Sequence, residues 1–289
     1  MTESGQQILK SRVILFRSGG LGDILLTFPL LQTLSAEFDE LIVSTPSKYH
    51  FLIREFSSTS TLYDMDEGDE QVMKLAHGAE VLSFWEDPNW MREWQSAGAT
   101  KVRSFNPRPV EGGHFSRSLL EHFTSPPERK ELNRTWLSKE VDSENIIAQN
   151  LWIHPGSGSL SKNLPLSEFI YFADYWLNQN PDVRVFFSFG EADLKLEQEF
   201  SKHPFLRNEN VDYKLFSSLE DLYFNLRKHS GSFAGNDSGP SHMAAMLGID
   251  THVWFRNTNP EIWAPLGPAV KIYQSGSVSR RRKWSVRFG

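Results

Sequence analysis

The sequence predicts an α/β protein built on parallel, doubly wound β-sheets. Short, continuously apolar segments such as Arg12–Arg17 and Leu151–His154 are typical of strands buried in parallel sheets. In the first half of the chain, such strand patterns occur at residues 12–17, 41–43, 60–63, 80–85 and 101–105. Helical patterns separate them. Because strands that alternate with helices favour parallel pairing, we expect two α/β domains of this kind.

The composition fits a two-domain protein with substantial cores. The 289 residues suit one large or two ordinary domains, and 39% of them are hydrophobic. The net charge of -6 gives no overall signature of nucleic-acid binding. The absence of cysteine excludes disulfides, thiolate metal sites and a cysteine nucleophile. No segment resembles a membrane span, and residues 1–5 lack a signal-peptide pattern, so we expect a cytoplasmic protein.

The first glycine turn, residues 18–23, follows the first predicted strand. It lacks the third glycine of a dinucleotide-binding fingerprint, because Leu25 occupies that position, and it lacks the lysine of a P-loop. We favour a third interpretation, in which Asp23 stands at the mouth of a cleft as a general base. The alternative is that Asp23 simply caps the helix at residues 24–34. Pro29 either kinks that helix or lies in its first turn.

Two motifs of the second half suit a nucleotide diphosphate. Residues 155–159 are small, so their backbone and hydroxyl groups could contact phosphate, and Lys162 would supply a positive charge. Glu191 directly follows the predicted strand 183–190, where a carboxylate commonly binds ribose hydroxyls. The alternatives are an ordinary loop with a solvated lysine, and a carboxylate that only favours the N-terminus of the next helix.

The most informative motif lies at residues 231–248, which have the pattern of a strand end, a polar turn and a helix. Asp237 or Ser238 can cap this helix, and Pro240 fits its first turn. The N-terminus of a helix presents free N–H groups and a positive partial charge, which suits a pyrophosphate. Asp237 could also accept bonds from sugar hydroxyls, and His242 could donate one. The alternative is a capped helix with a histidine in the core.

Together these motifs resemble glycosyltransferase family 9, the heptosyltransferases. Asp237–Gly248 is similar to the family's donor-site signature, Leu21–Asp23 to its N-terminal Leu-Gly-Asp signature, and residues 155–165 to its Pro-Gly-Ser loop. Residues 255–267 resemble the block that follows the donor signature. The resemblance spans nearly the whole chain. It implies the GT-B fold, in which two Rossmann-like domains face each other across a cleft.

The resemblance also implies roles for the matching residues. Asp23 would be the catalytic base. The donor-binding residues would be Ser157, Gly158, Lys162, Glu191, Asp237, Ser238, Gly239 and His242. Candidates for the acceptor side are Gly20, Gly22, His114 and Arg117, although the last two could equally belong to an exposed polar helix face. No metal or cofactor is expected, and the acidic segment Asp64–Asp66 is interpreted as a solvated loop.

Two departures from the family pattern leave the exact donor open. Arg256 stands where the family usually has glycine, so its side chain could enter the nucleotide pocket or add a cation beside it. Asn163 and Leu164 precede Pro165, where the family has an aromatic residue.

The expected organisation has four parts. Residues 1–125 form the acceptor-side domain, 126–150 the connection, 151–270 the donor-binding domain, and 271–289 a basic tail. Arg280–Lys283 in the tail could dock on anionic lipid. Alternatively, the tail packs across the first domain or is disordered.

We therefore expect an inverting glycosyltransferase that needs no metal. It would move a sugar from a nucleotide-diphosphate sugar to a saccharide or lipid-linked saccharide, such as the lipopolysaccharide core. The preferences for heptose and for ADP come from the resemblance alone. The alternatives are an inactive nucleotide-sugar-binding protein and a Rossmann-type dehydrogenase, which the incomplete glycine fingerprint disfavours.

Overall fold

The computed structural model describes residues 11–138, 150–179, 182–229 and 231–274, and the backbone of 286–288. The chain forms two compact units. The first contains the described chain up to Gly19, Thr27–Pro109 and Leu119–Ser125. The second contains Gly20–Leu26, Val110–Ser118 and the described chain from Pro126 onward. Two short segments from the first half of the sequence therefore belong to the second unit.

The first unit is built on a parallel sheet. Its described strands are β1 (Arg12–Phe16), β2 (Glu40–Thr45), β3 (Thr61–Asp64), β4 (Ala79–Ser83) and β5 (Lys101–Ser104). They lie in the order β3-β2-β1-β4-β5, and all neighbours pair in parallel. This is the strand order of a doubly wound, Rossmann-like sheet, which confirms the predicted class.

The second unit repeats this arrangement. Its described strands are β6 (Leu151–His154), β7 (Val185–Phe189), β8 (Val211–Leu215), β9 (Ser232–Asn236), β10 (Asp250–Phe255), β11 (Val270–Gln274) and β12 (Val286–Phe288). Their order is β12-β11-β10-β9-β6-β7-β8, with only β12 antiparallel to its neighbour among these strands. From β6 to β11 this is again the Rossmann order. The sequence patterns had not identified β8, β10 or β11.

Helices cover the sheets. Their described ranges are α1 (Leu21–Leu25), α2 (Phe28–Glu37), α3 (His50–Phe56), α4 (Glu70–Met73), α5 (Pro88–Ser96), α6 (Phe115–Leu120), α7 (Arg129–Leu132), α8 (Leu166–Gln179), α9 (Leu194–Phe200), α10 (Leu219–Leu226), α11 (Gly239–Met246) and α12 (Pro260–Trp263). Short 3-10 turns occupy Ser47–Tyr49, Met65–Glu67, Glu191–Asp193 and Pro204–Arg207. None of these helices has the length and apolarity that a membrane span requires.

One predicted helix is in fact two. The segment expected as a single helix at residues 24–34 divides between α1 and α2, and α1 begins earlier, at Leu21. Pro29 lies in the first turn of α2, where its missing N–H removes no helical hydrogen bond. The break leaves α1 as a single short helix directly after the glycine turn.

The predicted basic tail, residues 271–289, is described only in part. Arg280–Lys283 lie outside the described residues. The backbone of β12 pairs with β11, so this part of the tail extends the sheet of the second unit.

The two neighbouring strands β6 and β9 mark the point where the strand order of the second unit reverses. Ligands of doubly wound sheets bind beyond the carboxyl ends of the strands at this point. Pro155 directly follows β6, and Asp237 directly follows β9. The fold therefore brings two of the motifs that the sequence singled out to the same edge of one sheet.

Candidate functional site

Asp237 is the centre of this edge. Its carboxylate is only 4% exposed. One oxygen, Oδ2, accepts hydrogen bonds from Lys162 Nζ at 2.8 Å and from Thr258 Oγ1 at 2.6 Å. The other, Oδ1, lies 3.6 Å from His242 Nε2. Burial alone would raise the pKa of Asp237, but the neighbouring His242 and Lys162 hold it at about 2. Asp237 is thus a fixed negative charge shared by three loops.

Lys162 retains capacity for a ligand. Its ammonium group has three N–H donors, and the hydrogen bond to Asp237 uses one of them. The side chain is 33% exposed, so the remaining donors can reach solvent or a bound group. Lys162 is therefore suited to hold an anion next to Asp237, as the sequence predicts.

Asn236 fixes the loop that carries Lys162. Its side chain is fully buried; Oδ1 accepts from the backbone N–H of Leu164 at 3.0 Å, and Nδ2 donates to the carbonyl of Pro155 at 2.7 Å. Both ends of the loop are thereby attached to the end of β9. The sequence analysis missed Asn236, although its place next to Asp237 in the motif was a usable signal.

The two departures from the family pattern meet on the same loop. Arg256 Nη1 donates to the carbonyl of Asn163 at 2.8 Å, and Asn257 Nδ2 donates to the carbonyl of Ser161 at 2.7 Å. The Asn163 side chain accepts from Ser157 Oγ at 2.5 Å. Arg256 therefore holds the loop backbone from outside. Ser157 is engaged within the loop, whereas the neighbouring Gly158 borders open space.

A buried contact between His154 and Asp193 supports the turn after β7. Asp193 Oδ2 accepts from the backbone N–H of Gly190 at 3.0 Å and lies 3.4 Å from His154 Nε2. Burial lowers the pKa of His154, and the charge of Asp193 opposes this change. A Cβ atom on Gly156 would lie 1.9 Å from Asp193 Oδ1, so only glycine fits there. Sequence reasoning singled out the exposed Glu191 in this turn and missed the pair beneath it.

Two glycines let α1 approach α11 closely. A Cβ atom on Gly239 would lie 2.5 Å from Leu21 Cβ. A Cβ atom on Gly22 would lie 3.1 Å from the His242 ring. The imidazole that faces Asp237 on one side is thus covered by the backbone of α1.

Asp23 follows Gly22 on α1. Its Oδ2 accepts from the backbone N–H of Gly20 at 2.7 Å, which is the helix-cap contact that the sequence allowed as an alternative. The sequence assigned Asp23 to the first domain, whereas its helix belongs to the same compact unit as Asp237 and Lys162.

His114 is a buried, neutral imidazole. It is 3% exposed, and its Nε2 lies 2.8 Å from the carbonyl oxygen of Ala264. Because a carbonyl can only accept, Nε2 carries the proton and Nδ1 carries a lone pair. Burial lowers the pKa of His114 to about 4, and the positive charge of Arg129 contributes. Its Nδ1 has no hydrogen-bond partner.

His114 lines a pocket of the second unit, of about 430 Å³. We call it the basic pocket. Its charged and imidazole side chains are His114, Arg117, Glu128, Arg129, Lys130 and Glu261. Ser116 Oγ donates to the carbonyl of Leu26 at 2.6 Å, which joins the pocket wall to the end of α1. The acceptor-side candidates His114 and Arg117 therefore line the same pocket.

No protein-family model matches this sequence, and a search among curated proteins finds no match either. The comparison of folds does find similar solved structures. A glycosyl transferase of family 9 from Veillonella parvula DSM 2008 aligns over 93% of this chain and 88% of its own, with 16% identity and a TM-score of 0.70.

Two further structures come from E. coli. The ADP-heptose lipopolysaccharide heptosyltransferase II aligns over 91% of this chain and 89% of its own, with 14% identity and a TM-score of 0.67. The heptosyltransferase WaaC with ADP aligns over 92% and 93%, with 11% identity and a TM-score of 0.65. At these identities the likeness establishes the fold. The chain has the GT-B type fold of these structures, which confirms the predicted fold class.

The contact between α1 and α11 leads to a first prediction. Gly239→Ala should destabilise the protein by about 1–3 kcal/mol, because the new methyl group overlaps Leu21 Cβ. In a helix without this contact, the same change would stabilise by up to about 1 kcal/mol. Gly158→Ala, which places a methyl group in open space, is the matched control. Equal free energies of unfolding for both variants would contradict the close approach.

The pKa of His114 leads to a second prediction. The pKa of a histidine in the unfolded chain is about 6.5, whereas burial lowers the pKa of His114 in the folded chain to about 4. The contribution of neutral His114 to stability is therefore complete above pH 6.5 and is lost as the pH falls towards 4. The loss is on the order of 3 kcal/mol.

His114→Gln tests this assignment, because glutamine keeps an N–H donor for the Ala264 carbonyl and does not titrate. Urea unfolding between pH 7 and pH 4 should show a shallower loss of stability in this variant than in the unmodified protein. The same slope in both would show that His114 is not the titrating group.

Proposed function

We propose that the protein transfers a sugar from a nucleotide-diphosphate sugar to a saccharide or lipid-linked saccharide acceptor. The observation that carries the proposal is the arrangement of Lys162 and the start of α11 around the ionised Asp237, at the strand-order reversal of the second unit. A diphosphate requires positive charge and N–H donors, and sugar hydroxyls require an acceptor. This edge of the sheet offers the positive charge, the N–H donors and the acceptor within one compact unit.

Donor binding is assigned to the loops at this edge. Lys162 and the N–H groups of Gly158 and of the α11 start, at Ser238 and Gly239, would hold the diphosphate. Glu191, exposed after β7, would accept hydrogen bonds from a ribose. The choice of ADP and of heptose is supported by the sequence resemblance and by the names of the similar E. coli structures.

The chemical step needs a base. Transfer requires the acceptor hydroxyl to lose its proton as its oxygen attacks the anomeric carbon and the bond to the diphosphate breaks. Asp23 on α1 would take this proton. Attack from the face opposite the leaving diphosphate inverts the anomeric configuration. Lys162 and the helix N-terminus would stabilise the leaving group, so we propose that the reaction needs no metal.

A second candidate, a protein that binds nucleotide sugars without transferring them, is favoured by one observation. The Asp23 carboxylate accepts the backbone N–H of Gly20, so a purely structural cap would explain its presence. The variant of Asp23 described below separates the two functions.

The same proposal names the lipopolysaccharide core as the acceptor. It also places the protein in the cytoplasm, at the inner face of the membrane. These two statements are supported by the sequence resemblance and by the basic segment Arg280–Lys283.

Donor binding is tested by a panel of nucleotides and nucleotide sugars. A ligand that binds only the folded state raises the unfolding temperature, so ADP or an ADP-sugar should raise it and NAD should not. A shift with NAD alone would favour a dehydrogenase.

Lys162→Ala should weaken binding of the nucleotide found in this way by about 1.5–3 kcal/mol, or about 10- to 150-fold. The control is Lys271→Ala. Lys271 also pairs with a carboxylate, Asp250, at 2.9 Å and is similarly exposed, but it lies away from this edge. Calorimetry that gives the same affinity for both variants would remove Lys162 from the donor site.

Asp23→Asn should leave nucleotide affinity nearly unchanged and reduce transfer by about 10²–10⁴-fold. Asparagine still accepts the Gly20 N–H, so the variant removes the base and keeps the helix cap. Transfer is measured with and without a chelator, which should have no effect. An unchanged rate in Asp23→Asn would remove Asp23 from the chemistry, and a loss of rate with chelator would contradict the metal-free step.

A further inference from the structure

We propose that Arg256 and Asn257 form a clamp that positions Lys162 before a ligand arrives. The inference rests on the proposed function, because it takes Lys162 as the residue that holds the diphosphate of the donor. It goes beyond that function by assigning two positioning residues that act on the nucleotide only through Lys162. All three residues belong to the second unit.

The loop that carries Lys162 depends on support from outside. It connects β6 to α8, and its residues 155–165 form neither a helix nor a strand. Within the loop, the N–H of Lys162 donates to the carbonyl of Ser159 at 3.0 Å, and that of Asn163 to the carbonyl of Leu160 at 3.3 Å. Leu160 is 76% exposed. Since loops with exposed backbone open locally at little cost, contacts from neighbouring elements decide how firmly Lys162 is held.

The two arms of the clamp hold the chain on either side of Lys162. Asn257 Nδ2 donates at 2.7 Å to the carbonyl of Ser161, which belongs to the peptide unit that leads into Lys162. Arg256 Nη1 donates at 2.8 Å to the carbonyl of Asn163. Because a peptide unit is planar, each bond orients a whole peptide plane, and Lys162 lies between the two planes.

The peptide plane that Arg256 holds is also held from its other side. The carbonyl of Asn163 and the N–H of Leu164 belong to the same peptide unit, and this N–H donates to Asn236 Oδ1 at 3.0 Å. Asn236 is the last residue of β9, and Arg256 directly follows the neighbouring strand β10. The loop is therefore fastened to the ends of two paired strands.

The segment that carries the clamp also contacts the partner of Lys162. Thr258 follows Asn257 and donates at 2.6 Å to Asp237 Oδ2, the oxygen that accepts from Lys162 Nζ at 2.8 Å. Residues 256–258 thus contact both the loop of Lys162 and the carboxylate that Lys162 bonds. This closed set of contacts holds the ammonium group in place, and a preorganised group loses less entropy when it binds a ligand.

The arm at position 256 comes from a departure from the family pattern. The family that the sequence resembles usually has glycine here, and glycine has no side chain to donate. Arg256 makes the bond to the Asn163 carbonyl with one of its five N–H donors. We therefore assign this side chain to the loop backbone. The alternative is that its other donors contact the nucleotide directly, and the experiments below separate the two roles.

Arg256→Ala and Asn257→Ala each remove one arm of the clamp. Both residues are exposed, so the fold does not depend on burying their side chains. Each variant should weaken ADP by about three- to tenfold in calorimetry. The control, Asn178→Ala, removes a similar bond to the carbonyl of Asp174, at 2.8 Å near the end of α8, and should keep ADP affinity. Unchanged affinity in both clamp variants would overturn the proposal.

A double-mutant cycle shows whether Arg256 acts through Lys162. When Lys162 is already alanine, the further change Arg256→Ala should alter ADP affinity by less than about twofold, because there is no ammonium group left to position. A loss as large as in the protein that retains Lys162 would show that the guanidinium contacts the nucleotide itself. That result would overturn the positioning role.

Amide hydrogen exchange without nucleotide separates the clamp from the proposed function. In Arg256→Ala, the amides of Asn163 and Leu164 should exchange about three- to tenfold faster than in the unmodified protein, whereas Asn178→Ala should leave them unchanged. Unchanged exchange in Arg256→Ala would overturn the clamp, whatever the result with ADP. If exchange becomes faster but the unmodified protein does not bind ADP, the donor assignment fails and the clamp stands.

Discussion

The buried Asp237 carboxylate is the constraint on which the site depends. Moving a carboxylate out of water costs several kcal/mol, and only close partners offset this cost. Here Lys162 and Thr258 bond one oxygen and His242 faces the other. Lys162 and Thr258 come from two different loops and His242 from helix α11, so satisfying one charge fixes the positions of three chain segments. Loss of any partner would leave a buried charge that is only partly compensated.

Close packing extends this constraint to α1. His242 is covered by Gly22, and Gly239 of the same helix touches Leu21. Larger residues at either glycine would separate the two helices. As a result, the proposed base Asp23, the buried carboxylate of Asp237 and the cation Lys162 all lie on one compact unit. Their mutual geometry is set by the close approach of the backbone at Gly22 and Gly239.

Much of the fold follows from local patterns. The apolar strands of the first half appear with their ends shifted by a residue or two, because buried parallel strands have a strong hydrophobic signal. Strand β8 was missed because the charged Asp212 and Lys214 interrupt its apolar residues and only Val211 is buried, so its sequence lacks that continuous signal. The placement of α1 with the second unit was also missed. The order of residues along the chain shows which elements follow one another, but it does not show which elements pack together.

The site, like the fold, could be predicted only where its signal is local in the sequence. Lys162, Asp237 and His242 stood out because their motifs are compact in sequence, and the structure brings these three together. Thr258, Asn236 and Asp193 act through contacts with loops that are distant in sequence or through burial. Of the three, only Asn236 had a signal in the sequence, its place beside Asp237; no spacing rule indicates the roles of Thr258 and Asp193. The sequence showed Arg256 as a departure from the family pattern. Only the fold shows that its guanidinium donates to the backbone carbonyl of Asn163.

The electrostatics also decide which group of this edge can act as a base. Asp237 has a pKa of about 2, and both of its oxygens face cations or donors, so it holds a proton poorly. A general base works best when its pKa is near the working pH. The same arrangement makes Asp237 a good acceptor for hydroxyl groups, because it stays charged when a ligand enters. In the proposed reaction the proton would then go to another group of the unit, and Asp23 is a carboxylate whose helix, α1, packs directly on the helix that carries His242.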